Sequence, residues 1–439
     1  MTEPPRLDVT VVGCGYVGLV TAVGLAHAGH HVTGVETDAE RREMIAAGRA
    51  PFYEPGLPEL LSEVLADGRL VVADELSSVR RSSVVLLAVQ TPPKPDGAND
   101  VQFLEKAAVA VAAELQGSDH RPVVAVRSTV VPGTVGQVVA PALTGTGAIP
   151  ASNPEFLQEA SAVADFLEPD RIVVGCDDPA GLATLRDLYA PVGGQLFELP
   201  IAGAELAKYA SNALLATMIS FSNEIAGMCE DLPGVDAEDV LATVHADRRL
   251  TPVVDGLPVR PGILNFLRGG CGYGGSCLPK DMAALIAYRQ ETVRPASLIS
   301  AVHEINEGQA ARLVAMTEAA LGGLDGRRVA LLGLAFKAGT DDLRASPALK
   351  VADLLSTAGA EVIGFDPLVA AGRAPDVVKQ VASVKDALKG ADAVVLCTNA
   401  PEFRTLRTSV PVIDGRRDVD ASVTTGPYYA IGLGRPSGG

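Results

Sequence analysis

The feature that most constrains the fold is a glycine-rich turn near the start of the chain. Residues 7–38 read LDVTVVGCGYVGLVTAVGLAHAGHHVTGVETD, which predicts an apolar strand, a turn, a helix and a second strand. Gly13, Gly15 and Gly18 form G-x-G-x-x-G between the first strand and the helix, and Glu36 ends the second strand. In this context the helix N-terminus holds a pyrophosphate and the carboxylate holds a ribose diol, so the pattern predicts a dinucleotide-binding domain.

Glu36 also predicts which dinucleotide is bound. A carboxylate at this position accepts hydrogen bonds from the free diol of NAD and repels the 2′-phosphate of NADP. We therefore expect NAD as the cofactor. The alternative at this point is a β-α-β unit with the same tight packing that binds no cofactor.

Further apolar runs indicate a chain with two nucleotide-sized lobes. The runs SVVLLAV, PVVAVRSTV and RIVVG continue a parallel sheet to about residue 198, and a helical pattern of nearly thirty residues without proline follows. Residues 326–367 repeat the order strand, turn, helix and strand, and end in Asp366. Their turn carries Ala335-Phe336-Lys337 instead of glycines, so it cannot approach a dinucleotide pyrophosphate closely, whereas Lys337 can bind the phosphate of a single nucleotide.

These patterns predict the fold class and three domains. We expect an α/β protein with two Rossmann-like, doubly wound parallel-sheet domains, joined by a long central helix and a helical middle domain. The predicted bounds are 1–198 for the NAD-binding domain, 199–322 for the helical domain with the loop around Cys277, and 323–439 for the second lobe. We expect the segment after about residue 421 to be peripheral and partly mobile.

Composition and cysteine spacing speak against several classes of function. The chain has 53 acidic and 36 basic residues and a formal net charge of −17, which disfavours nucleic acid or an anionic membrane as the main partner. Its six cysteines form no C-x-x-C pair, which favours a reducing cytoplasm and disfavours zinc sites and disulfides. The sequence shows no signal peptide and no apolar run of about 18 residues. We therefore expect a cytoplasmic protein that holds no metal.

The run GGSCLPKD at residues 274–281 places a thiol beside features that favour its ionised form. Pro279 suits the first turn of a helix, so Cys277 falls just before a helix N-terminus, with Lys280 nearby. A helix N-terminus and a cationic neighbour both favour the thiolate, which is the nucleophilic form of cysteine. The alternative is a small buried residue at a loop–helix junction, the commoner fate of a free cysteine.

Several acidic and basic residues fall where a ligand is expected. Lys208 and Asn212 lie four positions apart and share one face of the long helix, with Glu205 one turn earlier. Taken alone, Lys208 and Asn212 on an Ala/Leu-rich helix are better explained as a solvated stripe, whereas beside a candidate nucleophile they fit a base and the holder of a water or an oxyanion. Glu155 and Glu159 are also four positions apart, as candidate bases, and Glu159 equally fits the cap of a helix.

Two turns and one basic pair complete the candidates. AVQTPP, with Thr91, and RSTVVPGT, with Thr129, are turns at the C-terminal ends of predicted strands, where doubly wound sheets bind ligands. Arg416 follows the apolar strand VPVIDG and offers a guanidinium to a phosphate or a sugar. The alternatives are routine turn residues for the threonines and a surface ion pair for the arginine.

Taken in order, these motifs resemble the UDP-glucose dehydrogenase family, and more broadly the nucleotide-sugar dehydrogenases that also act on GDP-mannose and N-acetylhexosamine nucleotides. The resemblance runs from about residue 8 to 420 and rests on GCGYVG, PFYEPGLPEL, RSTVVPGT, NPEFLQE, the helix with Lys208 and Asn212, GYGGSCLPKD, LGLAFKAGTDDLRASP and DGRR. It implies an NAD-dependent oxidation of a C6 alcohol to a carboxylate, with UDP-glucose as the substrate and a thiohemiacetal and a thioester on Cys277. It also implies a homodimer or a higher homo-oligomer built around residues 199–322, and a nucleotide-sugar site in residues 323–439.

The resemblance also implies a role for each matching residue. The implied catalytic set is Cys277 as nucleophile, Lys208 and an Asn212-held water as base and alkoxide stabiliser, Glu155 as the base of thioester hydrolysis, Asp281 as support for the lysine and the water, and Thr129. The implied cofactor contacts are Gly13, Gly15, Tyr16, Val17, Gly18, Glu36, Arg41, Thr91, Thr129, Glu159 and Arg344. The implied substrate contacts are Glu155, Phe156, Leu157, Lys208, Asn212, Arg260, Phe266, Gly274, Phe336, Lys337 and Arg416.

Some positions depart from the family pattern. Glu36 stands where aspartate is usual, Arg127 replaces a common lysine, and Asn399-Ala400 stands where Glu-Trp is usual. The loop between Asp247 and Phe266 is longer than usual. In the family this loop approaches the sugar nucleotide, and a neighbouring subunit often lends an arginine from it.

This loop leaves the substrate and one contact open. Arg248, Arg249 and Arg260 are all candidates for the lent arginine. The alternative substrates are dTDP-glucose, GDP-mannose and UDP-N-acetylmannosamine. An alternative from another class of function is a non-catalytic NAD-binding sensor, which has no use for Cys277 together with Lys208, Asn212 and Glu155.

Overall fold

The structure is a computed structural model, and it describes residues 5–290 and 295–434. The chain divides into two compact units, of which the first ends at Ser211 and the second begins at Asn212. Each unit is built on its own β-sheet.

The first unit contains an eight-stranded sheet. Its strands, in the sheet order β3-β2-β1-β4-β5-β6-β7-β8, are β1 (Asp8–Val12), β2 (His31–Val35), β3 (Leu70–Ala73), β4 (Val84–Leu87), β5 (Val123–Val126), β6 (Ile149–Ser152), β7 (Ile172–Gly175) and β8 (Leu196–Leu199). Strands β1 to β6 pair in parallel. β7 pairs antiparallel with β6 through Ser152 and Gly175, and β8 is parallel to β7. The prediction of a parallel sheet is thus correct for β1 to β6, whereas β7 and β8 run in the opposite direction. The sequence did not predict this reversal, because an apolar run does not encode the direction of its strand.

Helices cover both faces of this sheet. They are α1 (Tyr16–His27), α2 (Ala39–Ala46), α3 (Leu57–Ala66), α4 (Gln102–Leu115), α5 (Ala140–Ala142), α6 (Ala162–Leu167) and α7 (Pro179–Tyr189). Alternate residues of β4 enter two separate apolar clusters. Val84 and Leu86 pack in the cluster that contains α1, whereas Val85 and Leu87 pack in the cluster that contains α4. Burial of both faces explains why these strands read as continuous apolar runs.

A long helix, α8 (Ile201–Glu230), follows the first sheet, as predicted. Its 30 residues correspond to a length of about 45 Å, and the division between the two units falls inside it. The next elements are α9 (Ala237–His245), a hairpin of β9 (Val253–Val254) and β10 (Leu257–Pro258), α10 (Leu278–Gln290) and α11 (Ser297–Leu321). Among the described residues, no helix has both the length and the apolarity that a membrane span requires.

The second unit contains a six-stranded parallel sheet. Its strands, in the sheet order β13-β12-β11-β14-β15-β16, are β11 (Arg328–Leu332), β12 (Glu361–Phe365), β13 (Val378–Gln380), β14 (Ala393–Leu396), β15 (Val412–Asp414) and β16 (Tyr428–Ala430). The sheet is flanked by α12 (Pro347–Thr357) and α13 (Val384–Leu388). Val329 and Leu331 of β11 face one apolar cluster, and Ala330 and Leu332 face another, which repeats the doubly wound pattern of the first unit.

The C-terminal segment differs from the prediction. Residues after about 421 were expected to be peripheral, yet they form β16, which pairs with β15 along one edge of the sheet. Beyond β16, Gly432 donates its N–H to Glu230 at 2.6 Å, and Gly434 donates to the carbonyl of Val235 at 2.8 Å. The segment is therefore part of the second unit as far as Gly434, and residues 435–439 lie outside the described residues.

Candidate active site

The glycine-rich turn lies between β1 and α1, and its three glycines have different surroundings. Gly13 has a φ of +93°, and a Cβ added to it would lie 2.8 Å from the carbonyl oxygen of Ala88. A Cβ on Gly18 would lie 1.8 Å from the carbonyl oxygen of Gly13. A Cβ on Gly15 would meet nothing within 4 Å. Gly13 and Gly18 therefore allow the tight turn and the close packing of helix on strand, whereas Gly15 faces open space at the head of α1.

The N-terminus of α1 is available to an anion. Gly15 is its N-cap residue, no side chain caps it, and no acidic residue lies in its first turn. The N–H groups of the first turn, to which Tyr16 and Val17 belong, have no partner inside the helix. Such an N-terminus binds phosphate oxygens through its N–H groups and its dipole.

Glu36 lies immediately after β2 and beside this turn. Its carboxylate is buried and accepts hydrogen bonds from the backbone N–H of Cys14 at 3.2 Å and of Asp38 at 2.9 Å. The guanidinium of Arg41 lies 3.3 Å from the same carboxylate. A carboxylate has about four acceptor positions, so capacity for a ribose hydroxyl remains. The open head of α1 and the placement of Glu36 together fit the pyrophosphate and the ribose of NAD.

Two further predicted residues meet at the C-terminal ends of neighbouring strands. The hydroxyl of Thr91, which follows β4, donates to the carbonyl of Thr129, which follows β5, at 3.0 Å. Asn99 donates its side-chain N–H to the same carbonyl at 3.1 Å. The structure therefore brings Thr91 and Thr129 together. Asn99 was missed, because nothing in the sequence relates it to a residue thirty positions away.

The segment after β6 is held by a buried arginine. The guanidinium of Arg127 donates to the backbone and side-chain oxygens of Asn153, both at 3.2 Å, and to the carbonyl of Pro154 at 3.3 Å. The hydroxyl of Tyr189 also donates to the side chain of Asn153, at 2.5 Å. The departure from the family pattern at Arg127 thus has a structural role, because several hydrogen bonds from one planar group fix the turn before Glu155.

Glu155 and Lys208 form a buried ion pair. The lysine Nζ lies 3.1 Å from a carboxylate oxygen, and both side chains are 5% exposed. The other carboxylate oxygen accepts the N–H of Leu157 at 2.5 Å. Phe156 lies between Glu155 and Leu157 in the sequence. The centroid of its ring is 4.1 Å from the guanidinium carbon of Arg171 and 5.4 Å from the Lys208 Nζ. Four predicted residues, 155–157 and 208, therefore share one small region of the first unit.

Asn212 and Asp281 form a corresponding pair in the second unit. Asn212, one turn after Lys208 on α8, donates its side-chain N–H to Asp281 at 2.7 Å. The other oxygen of Asp281 accepts from Lys280 at 2.6 Å, and the Asp281 N–H donates to the carbonyl of Cys277 at 2.8 Å. The structure pairs Asp281 with Lys280, and the predicted support of Lys208 and a water by Asp281 stays a prediction.

Cys277 stands immediately before the first residue of α10, as the proline pattern predicted. It is half-buried, and the other five cysteines are buried. The hydroxyl of Ser276 lies 3.4 Å from its Sγ. A thiol at a helix N-terminus that is still accessible is typical of reactive cysteines, whereas fully buried thiols are inert.

The glycines before Cys277 pack against the turn of the second sheet. A Cβ on Gly274 would lie 2.4 Å from the carbonyl oxygen of Ala345. Gly275 has a φ of +85°, and its added Cβ would lie 2.8 Å from the Phe336 ring. The Gly275 N–H donates to the carbonyl of Arg344 at 3.0 Å. Both glycines are thus required by the packing of the cysteine loop.

Phe336, Lys337 and Arg416 also meet at the C-terminal ends of strands of the second sheet, the first two after β11 and the third after β15. Lys337 places its Nζ 5.6 Å from the Phe336 ring centroid. Arg416 donates to the carbonyl of Cys397 at 2.7 Å and to that of Phe336 at 3.3 Å. Two cationic side chains beside an aromatic ring form a surface suited to a phosphate and a base.

Asp366 accepts N–H groups of the turn that follows β11. Like Glu36 it follows the second strand of a β-α-β unit, but its carboxylate accepts the N–H groups of Leu334 at 2.8 Å and Ala335 at 3.0 Å. The turn after β11 thus uses its own N–H groups internally. That this turn cannot hold a dinucleotide pyrophosphate stays a prediction.

One candidate is reassigned by the structure. Glu205 was considered with Lys208 and Asn212 as part of a polar face, but its carboxylate accepts the N–H groups of Gly133 at 2.6 Å and Val135 at 2.8 Å. Burial raises its pKa. Glu205 therefore caps the turn that follows β5. Its position on the long helix gave no sign of this role in the sequence.

Four predicted or candidate substrate contacts lie in the segment between α9 and α10. Arg260 is exposed two residues after β10, and Phe266 is half-buried in a short 3-10 turn. Arg249 forms an exposed ion pair with Asp247, and Arg248 is exposed.

Two more predicted cofactor contacts have defined neighbours. Arg344 pairs with Asp342 at 2.6 Å on the turn that receives Gly275. Glu159 is half-buried, and its charge acts on Tyr16, whose hydroxyl donates to Glu54. Glu54 is a site neighbour that the sequence analysis did not single out.

Comparison with known proteins identifies the chain. Three models of the UDP-glucose/GDP-mannose dehydrogenase family match in series: the NAD binding domain over residues 7–193, the central domain over 202–308 and the UDP binding domain over 330–421. The chain belongs to the UDP-glucose/GDP-mannose dehydrogenase family. It is an NAD-dependent nucleotide-sugar 6-dehydrogenase, and its substrate is a nucleotide sugar.

Individual members of the family are similar over the full length. The chain is 35% identical to the UDP-glucose 6-dehydrogenase YwqF of Bacillus subtilis, covering 97% of this chain and 98% of that protein. It is 38% identical to a UDP-glucose 6-dehydrogenase of Pseudomonas aeruginosa, covering 99% of this chain and 98% of that protein. Among solved structures, a UDP-glucose dehydrogenase from Pyrobaculum islandicum superposes with a TM-score of 0.90 at 37% identity and covers 98% of both chains. A UDP-D-ManNAc dehydrogenase from Pyrococcus horikoshii has a TM-score of 0.83 at 28% identity, covering 97% of this chain and 99% of that chain.

Proposed function

We propose that this dehydrogenase oxidises UDP-glucose to UDP-glucuronate through a covalent intermediate on Cys277. One observation supports the covalent route most directly: of the six cysteines only Cys277 is partly exposed, and it stands at the head of α10. The choice of UDP-glucose is supported by relatives of that name at 35–38% identity. When bound, NAD supplies the hydride acceptor for both oxidations.

Lys208 and Asn212 act on the alcohol in the first oxidation. C6 loses a hydride and its hydroxyl loses a proton, which gives an aldehyde. Because Lys208 is ion-paired with Glu155, it acts as a cation that stabilises the developing alkoxide. The proton passes to a water held by the Asn212 amide, whose orientation is supported by its hydrogen bond to Asp281.

Cys277 makes the second oxidation feasible. An aldehyde that is kept from hydration has no tetrahedral carbon from which a hydride can leave. The Cys277 thiolate adds to C6, and the carbonyl electron pair moves to oxygen, which gives a thiohemiacetal. Collapse of this adduct re-forms the C=O bond and expels the second hydride, so a thioester remains on Cys277.

Glu155 acts in the last step. It takes a proton from the water that attacks the thioester, and the C–S bond breaks with the thiolate of Cys277 as the leaving group. The product is a carboxylate. The hydrogen bonds that Arg127 makes to Asn153 and Pro154 support a fixed position for Glu155.

We also propose a homodimer that uses α8. Leu214, Phe221 and Met228 are exposed and lie seven residues apart, so they form one apolar stripe along the helix. Light scattering at micromolar concentration should report a dimer or a higher oligomer, and a monomer would contradict this.

The three-domain division at 198 and 322 stays a prediction that the three successive family models support. We propose a cytoplasmic location, where a free catalytic thiol stays reduced.

Other nucleotide sugars are the second candidates. The likeness to a UDP-D-ManNAc dehydrogenase, together with the exposed loop around Arg260, favours testing UDP-N-acetylmannosamine, dTDP-glucose and GDP-mannose beside UDP-glucose. The experiment is a panel of these compounds with NAD, with NADH and the sugar product both quantified. We expect UDP-glucose to give the highest kcat/KM and two NADH per sugar, without free aldehyde. A stoichiometric free aldehyde would refute the covalent route, and a higher kcat/KM for another sugar would refute the substrate.

A further inference from the structure

A buried carboxylate beside the cofactor turn has no role in the mechanism above. Glu54 belongs to the run PFYEPG that leads into α3, and it is 2% exposed. One carboxylate oxygen, Oε2, accepts the hydroxyl of Tyr16 and the backbone N–H of Ala160, the latter at 2.9 Å. The other oxygen, Oε1, is buried without a hydrogen-bond partner among the described residues. A buried acid with half of its acceptors unused is costly for stability alone, so it calls for another explanation.

The first bond joins Glu54 to the cofactor helix. Tyr16 is the first residue of α1, immediately after the N-cap Gly15. Its ring packs against Phe52 with the centroids 4.7 Å apart. Burial, together with the hydrogen bond to Glu54, raises the pKa of Tyr16, so the phenol remains a donor at all working pH values. Glu54 thus holds Tyr16, the first residue of α1, in place at the helix end where the free N–H groups lie.

The second bond joins Glu54 to a strained turn. Ala160 has a φ of +73°, a left-handed conformation that alanine rarely adopts. Such a conformation persists only where surrounding contacts enforce it, and the bond from the Ala160 N–H to Glu54 is one such contact. Ala160 directly follows Glu159, a predicted cofactor contact, and ends the segment that begins with Glu155.

We propose that Glu54 is a positioning residue that links NAD binding to the placement of the segment 155–160. No lysine or arginine among the described residues pairs with its carboxylate, so its charge acts on the two neutral donors and strengthens both hydrogen bonds. One anchor therefore sets the head of α1 and the left-handed turn together. Loss of that anchor weakens NAD binding through both elements.

The test measures NAD binding by calorimetry, without any nucleotide sugar. Glu54→Gln keeps the size and one acceptor but removes the charge, and we expect the Kd for NAD to rise about tenfold. Tyr16→Phe removes only a hydroxyl, and we expect a smaller rise in the same direction. Because both changes weaken the same bond between Tyr16 and Glu54, the double variant should raise the Kd for NAD by less than the product of the two single effects.

A matched control separates positioning from general stability. Asp414 in the second unit is also a buried carboxylate that accepts a tyrosine hydroxyl, that of Tyr428 at 2.9 Å, and backbone N–H groups. Asp414→Asn should lower the melting temperature without changing the Kd for NAD. If Glu54→Gln lowers the melting temperature and leaves the Kd within twofold of wild type, Glu54 is merely structural and the proposal is wrong.

A rescue variant tests the link to the turn. Glycine adopts a φ of +73° without strain, so Ala160→Gly should make the turn less dependent on Glu54. In the Glu54→Gln background, adding Ala160→Gly should lower the Kd for NAD at least about threefold. No recovery would overturn the link between Glu54 and the turn. If Glu54→Gln fails to fold, Tyr16→Phe alone decides, since an unchanged Kd for NAD in that variant also refutes the proposal. These measurements do not involve the sugar substrate, so their failure is distinct from failure of the proposed function.

Discussion

Replacing Glu155 by glutamine separates its structural contribution from its chemical one. The residue is ion-paired with Lys208 at 3.1 Å, and both side chains are 5% exposed. Glutamine keeps the shape and still offers an oxygen to the N–H of Leu157. It removes the countercharge of Lys208 and the ability to take a proton from water.

The stability effect follows from the geometry of the pair. Two unit charges 3.1 Å apart attract by about 5 kcal/mol at an effective dielectric constant of about 20. Removing one partner of a buried pair costs about 3–5 kcal/mol, because the other charge stays buried and loses its countercharge. For a unit of this size, the melting temperature should fall by on the order of 10 °C. The double variant Glu155→Gln/Lys208→Met leaves no unpaired charge and should recover most of this loss.

The matched control is an exposed pair of the same two residue types. Lys350 and Glu307 lie 2.6 Å apart, with side chains 38% and 44% exposed. Glu307→Gln should cost less than about 1 kcal/mol, since water screens the pair. If Glu155→Gln shifts the melting temperature no more than Glu307→Gln, the buried ion pair does not exist in solution.

The chemical effect is measured by rapid mixing with NAD and the sugar substrate. Glu155→Gln should release up to two NADH per site in a burst, because both hydride transfers precede the step that needs a base. A slow steady state should follow, and intact-mass measurement should find the sugar nucleotide attached to Cys277. If the variant shows neither burst nor adduct, Glu155 acts before hydrolysis and its assigned role is wrong.

Three further predictions concern the nucleophile, the cofactor and pH. Cys277→Ser should lower turnover by about 10³-fold or more while a slow first oxidation survives, and turnover above a tenth of wild type would contradict covalent catalysis. The wild-type enzyme should have a much higher kcat/KM with NAD than with NADP, and Glu36→Ser should reduce the ratio of these two values at least tenfold. Equal kcat/KM values for NAD and NADP in the wild-type enzyme would show that Glu36 does not face the ribose. Burial lowers the pKa of His30 below its usual 6.5, so the unfolded chain binds a proton that the folded chain refuses, and stability should fall as the pH drops through 6.5. Melting temperatures at about pH 7.5 and about pH 5.5 measure this loss, which His30→Gln should reduce.

The parts of the fold that depend on local pattern were predictable from the sequence. The turn at Gly13 and Gly18 and the helix start after Cys277 rest on residues close together in the chain, and the structure has both. The direction of β7 and β8 and the pairing of β16 depend on sheet neighbours that no short window contains. These were the elements that the sequence analysis misjudged.

The site shows the same division between local and distant partners. The roles of Glu205 as a cap on the turn at Gly133 and of Arg127 as the support of Asn153 depend on contacts across 72 and 26 positions. A residue type that suits catalysis also suits a cap, so only the distant partner distinguishes them. Glu54 was hidden for a related reason, because its partner Ala160 carries no polar side chain to suggest a contact.

The distribution of the cysteines makes this protein suitable for selective labelling of Cys277, which would titrate the active site if the proposed mechanism holds. Burial raises the pKa of Cys14 to about 12 and also raises the pKa of Cys176 and Cys229, so these thiols are both inaccessible and protonated. A hydrogen bond to Cys397 lowers the pKa of Cys271 to about 7, but both of these thiols are buried. An alkylating reagent applied briefly to the folded protein should therefore modify the half-buried Cys277 first. The uptake of one label per chain would count competent subunits directly, and the same position would accept a spectroscopic probe without prior removal of any other cysteine.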